Sequence, residues 1–216
     1  MDINFLLLNV KMGRLWKGIF SKKQKILDIG CGDNPGYHRH IHASVVCADK
    51  SPSRAAHLLS DAQSLPFKPA SFDGVVSVNS LYYCERPSSA VAEFSRALRK
   101  GGKLVMVTPF LYPIHDIPHD KYRFTEHGLK EMLKDKFAIE KIVPIGGVFS
   151  IPALLLHSLH KGVVSASPRW MRPAANVVMF LILLIPSIMG QLISILDFLD
   201  WTRRWPVYYF TIARKK

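Results

Sequence analysis

The sequence predicts an α/β fold, a mainly parallel sheet covered by helices, with an apolar helical insertion before its last strand. Three observations carry this reading. A short apolar run, Ile26-Leu27-Asp28-Ile29, leads directly into Gly30-Cys31-Gly32, the pattern of a buried strand ending in a tight turn. Apolar, Val-rich runs then alternate with a helical pattern, which argues for a parallel sheet with covered faces. Near the C-terminus, residues 174–196 carry no charged side chain.

The N-terminal part, residues 1–24, reads as a basic amphipathic helix. Lys11, Arg14, Lys17, Lys22 and Lys23 interleave with Leu15, Trp16, Ile19 and Phe20. The apolar run at residues 3–8 has no basic residue before it, the wrong order for a secretory signal. Residues 25–145 then form the core. The first strand and its glycine turn occupy residues 25–36, KILDIGCGDNPG. Glycine lacks Cβ, so backbone there can turn sharply and lie against a ligand. A second strand, residues 44–49, ends in Asp49, near the ~20-residue spacing expected between such a turn and a ribose-binding acid. A short strand over residues 57–61 ends at Asp61, and a Val-rich central strand over residues 71–79 ends at Asn79. The connection between the second and third strands is too short for the usual helix.

Residues 88–98 read as a helix with Ala90, Val91, Phe94, Ala97 and Leu98 on one face, stopped by Gly101-Gly102. Strands follow at residues 103–109 and 137–144. After the insertion, residues 146–205, the segment 206–216 supplies the final strand of the core.

The chain has 216 residues and a formal net charge of +13, which favours anionic partners. Half of it is apolar, which excludes a disordered chain. Cys31, Cys47 and Cys84 are far apart in sequence and form no C-x-x-C pair, so neither a disulfide frame nor a zinc site is expected, and a reducing, cytoplasmic setting fits.

Together the stations ILDIGCGDNPG, CADKS, DAQSLPF, SFDGVVSVNSLYY and ALRKGGKLVMVTPF resemble, in order, the class I S-adenosylmethionine-dependent methyltransferases, most of all the broad type 11 group. The resemblance covers residues 25–137. It implies a Rossmann-like sheet of seven strands with the last one antiparallel, and S-adenosyl-L-methionine as cofactor. It further implies that Gly30 and Gly32 lie against the methionine and ribose, with Asp28 supporting that turn. By the same resemblance Asp49 binds the ribose hydroxyls, Asp61 reads the adenine amino group, Ala62 offers backbone to the adenine edge, and Asn79 sits near the methionine end. Many relatives carry L-E-H after the fourth strand where this chain has Leu81-Tyr82-Tyr83, so the resemblance gives Tyr83 no role. A nicotinamide dinucleotide fits less well: Asp33 follows the glycines, where its charge opposes a diphosphate and is tolerable next to a sulfonium.

The loop after the fifth strand, YPIHDIPHDKYRFTEHGL, is similar to a substrate-side loop of one branch of that family. Its position is where ligands bind in such sheets. His115 and His119 are the candidates for substrate contact or general base, since histidine titrates near neutrality; Asp116 and Tyr122 are placed on the substrate side. Asp120 and Arg123 are spaced to pair and hold the loop, with Phe124 in the core. No metal is expected, because Pro118 prevents a helix that would align the His-Asp pairs.

The insertion is flanked by Arg169, Trp170 and Arg172 on one side and Trp201, Arg203, Arg204 and Trp205 on the other, a composition suited to a membrane interface. Pro186 divides the apolar run in this reading. A single crossing would strand the last strand on the far side, so the insertion is expected to dip into one leaflet, lie at the interface, or pack on the domain or a second copy in a homodimer. The sequence thus points to a methyltransferase at the cytoplasmic face of an anionic membrane, peripheral or monotopic, acting on an apolar or lipid-linked small molecule. The competing expectation is a non-catalytic cofactor-binding protein whose insertion is an interaction module. No catalytic signature for nucleic-acid bases is present.

Overall fold

The computed structural model describes residues 6–216. The chain divides into two compact units. The larger holds residues 13–110, 114–143 and 208–216. Its centre is a seven-stranded sheet in the order β3-β2-β1-β4-β5-β7-β6. The strands are β1 (Lys25–Ile29), β2 (Ser44–Asp49), β3 (Leu58–Leu59), β4 (Phe72–Val78), β5 (Leu98–Pro109), β6 (Phe137–Ile145) and β7 (Tyr208–Lys215). β1 pairs in parallel with β2 and β4, and β4 with β5. β7 is antiparallel to β5, Lys103 facing Arg214 and Pro109 facing Tyr208. The expected sheet class, with its antiparallel last strand, is the one found.

The apolar runs are buried because their neighbours cover both faces. Ile26, Leu27, Val75, Val76, Leu104, Val105 and Met106 are inaccessible to solvent, as central parallel strands require. Helix α2 (Pro87–Ala97) turns Ala90, Val91, Phe94 and Ala97 inward, the face its sequence period sets. Helix α3 (Glu126–Leu133) is capped by Thr125, whose side chain accepts from the Gly128 N–H, and buries Leu129 and Leu133.

Some boundaries differ from the sequence reading. Helix α1 occupies Leu6–Leu15, shorter than the 1–24 span expected; Gly18 follows at φ 74, outside helical geometry, and Lys17, Lys22 and Lys23 lie beyond the helix. The part of that expectation on residues 1–5 lies outside the described residues. α2 is not stopped by Gly101-Gly102: it ends at Ala97, and β5 begins at Leu98. The register of β4 against β5 shifts between Phe72 and Gly74, and Gly101, at φ 76, lies within that irregular stretch.

The smaller unit holds residues 111–113, 144–207 and the first part of α1. Helices α4 (Ile151–Ala166) and α5 (Arg172–Ser194) dominate it. A Cβ on Gly190 would lie 3.2 Å from Ala153 backbone, and His160 Nε2 meets Asn176 Oδ1 at 2.8 Å. These pairs run in opposite chain directions, so α4 and α5 form an antiparallel hairpin. α5 passes through Pro186 without a break, contrary to the division expected. One missing N–H removes a single ladder bond, and the close packing on α4 holds the turns on either side. At the hairpin's base Asp197 accepts from Ser150 Oγ, Asp200 accepts from the Val148 N–H, and Lys11 stands 3.7 Å from Asp197.

Candidate functional site

The site is built at the C-terminal ends of β1 to β4, where parallel strands leave ligand crevices. Gly30 has φ 73 and Gly32 φ 63, so both positions need glycine's freedom. A Cβ on Gly30 would meet Ser80 Cβ at 2.2 Å. Ser80 is held there by its hydroxyl, which donates to the Ile29 carbonyl at 2.8 Å and meets Ser77 Oγ at 2.7 Å. Gly32, by contrast, faces open space. Its N–H donates to Asp49 Oδ2 at 2.9 Å, and the Ser51 N–H donates to Asp49 Oδ1 at 3.0 Å.

A cleft opens beside this turn, lined by Ile29, Gly30, Asp49, Lys50, Ser60, Asp61, Ala62, Gln63, Ser80, Tyr83 and Cys84. It gathers Gly30, Asp49, Asp61 and Ala62 from the residues singled out in the sequence. Asp61 Oδ1 accepts from the Gln63 N–H at 2.8 Å and the Gln63 amide at 3.1 Å, with Lys50 at 3.5 Å. Burial works against its charge, but the Gln63 bonds and Lys50 outweigh it and hold Asp61 below the ordinary carboxylate range. The cleft therefore presents anionic oxygen on two sides.

Asp28 is fully buried beneath the turn. Its Oδ2 accepts from Tyr37 Oη at 2.8 Å and meets His38 Nε2 at 2.6 Å, while Oδ1 finds no partner among the described residues. Burial raises its carboxyl above the usual range, against the pull of His38 and Tyr37. Asp28, His38 and Cys47 have ligand-type atoms within 4.8 Å of one another. The 2.6 Å contact is a hydrogen bond, however, shorter than the roughly 3.3 Å that separates two ligands of a tetrahedral ion. Asn79 adopts φ 50 with its N–H on the Val107 carbonyl and Oδ1 buried without a partner among the described residues; it adjoins Ser80 but does not line the cleft.

The loop after β5 divides the remaining candidates. His115 Nε2 lies 2.9 Å from Tyr82 Oη and 3.3 Å from Tyr83 Oη, and Tyr83 Oη donates to Asp116 Oδ2 at 2.6 Å. Asp120 Oδ2 lies 3.1 Å from His115 Nδ1 and accepts from the His115 N–H at 3.0 Å. Arg123 clamps Asp120 through two hydrogen bonds of 2.5 and 2.6 Å. That guanidinium, helped by the His115 N–H, holds Asp120 below the usual range despite burial. Phe124 is buried, so the Asp120–Arg123 pair fixes the loop as its spacing suggested. His119 is exposed and donates its N–H to the Asp116 carbonyl; its side chain is not part of this cluster. Tyr122 hydrogen-bonds the Glu85 carbonyl at 2.9 Å and stacks on Phe124, also apart from it.

Residues 27–106 match a family model described as a methyltransferase domain. The sheet order around the cleft is that of the class I methyltransferases. Residues 27–106 thus carry the methyltransferase-domain pattern on a sheet of the Rossmann-like class. It is 28% identical over 107 residues to O-methyltransferase rstn1 of Aspergillus nomiae. That match spans 41% of this chain and 48% of the relative, about half the relative's length. Solved structures extend the likeness in fold to the whole chain. The cyclase SpnF aligns with a TM-score of 0.63 at 17% identity, covering 95% of this chain and 80% of that one. Phosphoethanolamine N-methyltransferase 2 of Haemonchus contortus, solved with S-adenosyl-L-methionine, aligns at 0.57 and 15% identity, covering 97% and 51%.

S-adenosylmethionine is the cofactor of this class, and the methyltransferase domain has groups that fit it. Each Asp49 oxygen accepts one backbone N–H, and each retains a second lone pair for a ribose hydroxyl. The open space at Gly32 lets a ligand approach the backbone. Sequence reasoning missed Lys50, Ser60, Gln63, Ser80 and Cys84 as cleft residues and left Tyr83 without a role. Ser80, two residues past the end of β4, bonds the last carbonyl of the neighbouring strand β1, a contact between strands that no local window of sequence contains. Ser60 and Gln63 enter through the segment after β3, Lys50 follows Asp49 at the end of β2, and Tyr83 and Cys84 lie beyond β4.

Proposed function

We propose that the domain binds S-adenosylmethionine in this cleft and transfers its methyl group to an apolar or lipid-linked small molecule at the cytoplasmic membrane face. One observation carries the reading: Gly30, Asp49, Asp61 and Ala62, from separate strand ends, line a single cleft. In this reading Asp49 holds the ribose, Asp61 and Ala62 the adenine, and Gly30 and Gly32 the methionine side. Asp28 stays beneath the turn, and Asn79 shapes the strand end. The bound sulfonium supplies the methyl group. The protein's task is to place the acceptor in line with it at about 3–3.5 Å and to receive a proton where the acceptor loses one. His115 stands nearest the cleft, through Tyr83; His119, Asp116 and Tyr122 complete the acceptor-side loop.

The likeness to an O-methyltransferase and to an N-methyltransferase solved with its cofactor supports transfer. The likeness to a cyclase supports a rival, the same fold without methyl transfer. Methyl-labelled S-adenosylmethionine, incubated with the full chain and a total lipid extract, separates them. Label in an extracted molecule is expected. Cofactor binding by calorimetry with no label transferred to any extract would favour the rival.

The hairpin supports membrane attachment by its inverted polarity. α5 turns Ser187, Gly190, Gln191 and Ser194 inward, while Val177, Leu181, Ile185, Met189 and Leu192 are each more than half exposed. A helix with apolar residues outward is stable in lipid, not in water. Its depth follows from charge. Standing half-way into the bilayer, the hairpin would carry Lys161, Arg169 and Arg172 at the midplane, at about 2.5–3.5 kcal/mol each. By length and composition Val148–Ala166 and Arg169–Leu199 are each able to cross a membrane, so the charges around the turn between them, not length, argue against it. We therefore place α5 in the plane of one leaflet, with Trp170 and Trp201, each more than four-fifths exposed, at the interface. Lys11, Arg203 and Arg204 add attraction to anionic headgroups. Flotation with anionic liposomes is expected, and tags before Met1 and after Lys216 should lie on the same side. A full-length chain that stays in solution as a dimer would transfer this surface to a second copy.

A further inference from the structure

We propose that the edge of the sheet opposite the cofactor cleft is a docking surface for an acidic protein. Cations from distant parts of the chain gather there. Residues 22–25 read KKQK, residues 99–103 RKGGK and residues 214–216 RKK, without an acid among them. All three segments meet the sheet at the same end. The first leads into β1, the second opens β5, and the third closes β7, which runs antiparallel to β5. Lys136, just before β6, joins them, since the Lys216 N–H donates to its carbonyl at 3.1 Å.

Contacts tie the segments into one surface. The Lys25 N–H and the Arg99 guanidinium both donate to Asp73, at 2.8 Å each. Lys215 Nζ donates to the Leu98 carbonyl at 2.8 Å and Arg214 to the Gly101 carbonyl at 3.0 Å. Lys103 faces Arg214 across the β5–β7 ladder. The surface crosses β1, β4, β5, β7 and β6 in that spatial order, and neighbouring strands lie about 4.8 Å apart, so it spans on the order of 20 Å. Its arginines are paired, Arg99 with Asp73 and Arg214 with Glu140. Lys22, Lys23, Lys100 and Lys136 are exposed, and their ammonium groups have no partner among the described residues. Like charges held this close repel one another in the free domain, a cost tolerated where a position serves something other than stability.

Three features choose the partner. The cleft lies at the C-terminal ends of β1 to β4 and this surface at the opposite ends. Given the membrane reading above, binding this edge to the bilayer would turn the cleft away from an acceptor held there. A nucleic acid presents an unbroken row of phosphates, whereas the surface interleaves its lysines with Asp73, Glu131, Asp135 and Glu140, which the scattered cations of a protein can meet. Among the described residues no exposed aromatic side chain lies on it for stacking on bases, and its arginine forks are already occupied. Exposed ammonium groups facing carboxylates give fast, salt-sensitive association. The partner is therefore a transient one, of net negative charge.

The test uses the full chain and three probes: a labelled glutamate-rich peptide with interspersed lysines, a duplex RNA, and phosphatidylglycerol vesicles. Lys22→Glu, Lys23→Glu, Lys100→Glu and Lys136→Glu, combined, should weaken peptide binding by about tenfold or more at low ionic strength, with vesicle flotation unchanged. A control with the same change in charge, Arg39→Glu, Arg54→Glu, Arg86→Glu and Lys161→Glu combined, should stay within about threefold of the parent for the peptide. The same four edge lysines changed to glutamine add no repulsion and should also weaken the peptide, which keeps the test open if the glutamate variant fails to fold. Equal losses in the edge and control variants would mean that net charge alone binds the peptide, and would overturn the proposal. So would RNA bound more tightly than the peptide and released by the edge variant, or vesicle flotation lost with it. These measurements read binding and not methyl transfer, so the methyltransferase reading stands or falls separately.

Discussion

Replacing Asp49 by alanine tests the cofactor site most directly. The side chain does two jobs that the structure separates. Within the protein, its two oxygens accept the Gly32 and Ser51 N–H groups at 2.9 and 3.0 Å. A hydrogen bond to a charged group contributes about 1.5–3 kcal/mol. Asp49 is only partly buried, so the low end applies, and Asp49→Ala should lower stability by about 2–3 kcal/mol. Toward the cofactor, the remaining lone pairs face the proposed ribose hydroxyls, and their loss should weaken binding by a further 1.5–3 kcal/mol or so, roughly 10- to 150-fold. Asp49→Asn retains one accepting oxygen and should fall between alanine and the parent in both measurements. Urea unfolding gives the first number and calorimetry with S-adenosylhomocysteine the second, measured where the variant is still folded. Unchanged affinity in a folded Asp49→Ala chain would refute the placement of the ribose. Lost affinity with unchanged stability would refute the assignment of the turn's bonds.

Gly30→Ala should lower the thermal midpoint and abolish cofactor binding, since φ 73 and a 2.2 Å overlap with Ser80 Cβ cannot both be relieved. The strain alone is worth about 1–2 kcal/mol, and a parent-like melting curve would contradict it. Asp120→Asn should cost about 1–3 kcal/mol at pH 7, below the 3–5 typical of a fully buried pair because the Arg123 side chain is 24% exposed. Since the folded carboxyl is held below its unfolded value, that contribution is complete above about pH 4 and fades as pH falls through the lowered folded value; equal urea midpoints for parent and variant at pH 7 would exclude it. Gly190→Leu should loosen the hairpin by about 1–3 kcal/mol, because even a Cβ there sits 3.2 Å from Ala153 backbone; an unaltered denaturation curve would mean that the helices do not meet at that point.

The sheet was largely legible because its strands are short, Val-rich and punctuated by glycine, and because buried parallel strands leave a continuous apolar run. Asp49 was legible for a related reason: it ends such a run. Asp61 lies two residues past β3, which is Leu58–Leu59 alone and not buried, shorter than the 57–61 strand expected; it reaches the same edge because the ends of parallel strands share one. Pro186 was misjudged as a helix break. Local chemistry disfavours proline inside a helix, but α5 is held by the length of its packing on α4, which no local window contains. The α2–β5 boundary failed in the opposite direction: the Gly101-Gly102 pair looked like a helix stop, and the pairing of Leu98 with Phe72 had already drawn the chain into the sheet. The loop after β5 was half legible. Asp120 and Arg123 are three residues apart and announce their pair, whereas Tyr83 reaches His115 across 32 residues of sequence and only the β4–β5 neighbour relation brings them together.

The acids at the glycine turn show how the same side chain takes different work from its surroundings. Asp49, at the exposed end of its strand, spends one lone pair of each oxygen on backbone and keeps the others toward the cleft. Asp28 sits four residues into β1, fully buried, and both of its donors, Tyr37 and His38, converge on Oδ2. Leaving Oδ1 without a partner among the described residues costs on the order of 1–3 kcal/mol. Such a cost is tolerated where a position serves something other than stability. Tyr37 is itself fixed by stacking on Trp16, 5.5 Å between ring centres, so the segment after α1 steadies the residue that steadies Asp28. Tyr37→Phe would remove that donor while keeping the stack. If Asp28 acts only as a buried scaffold, the substitution should lower stability and leave cofactor affinity alone. If Asp28 holds the turn in its ligand-ready form, affinity for S-adenosylhomocysteine should fall as well, and by more than the melting shift explains.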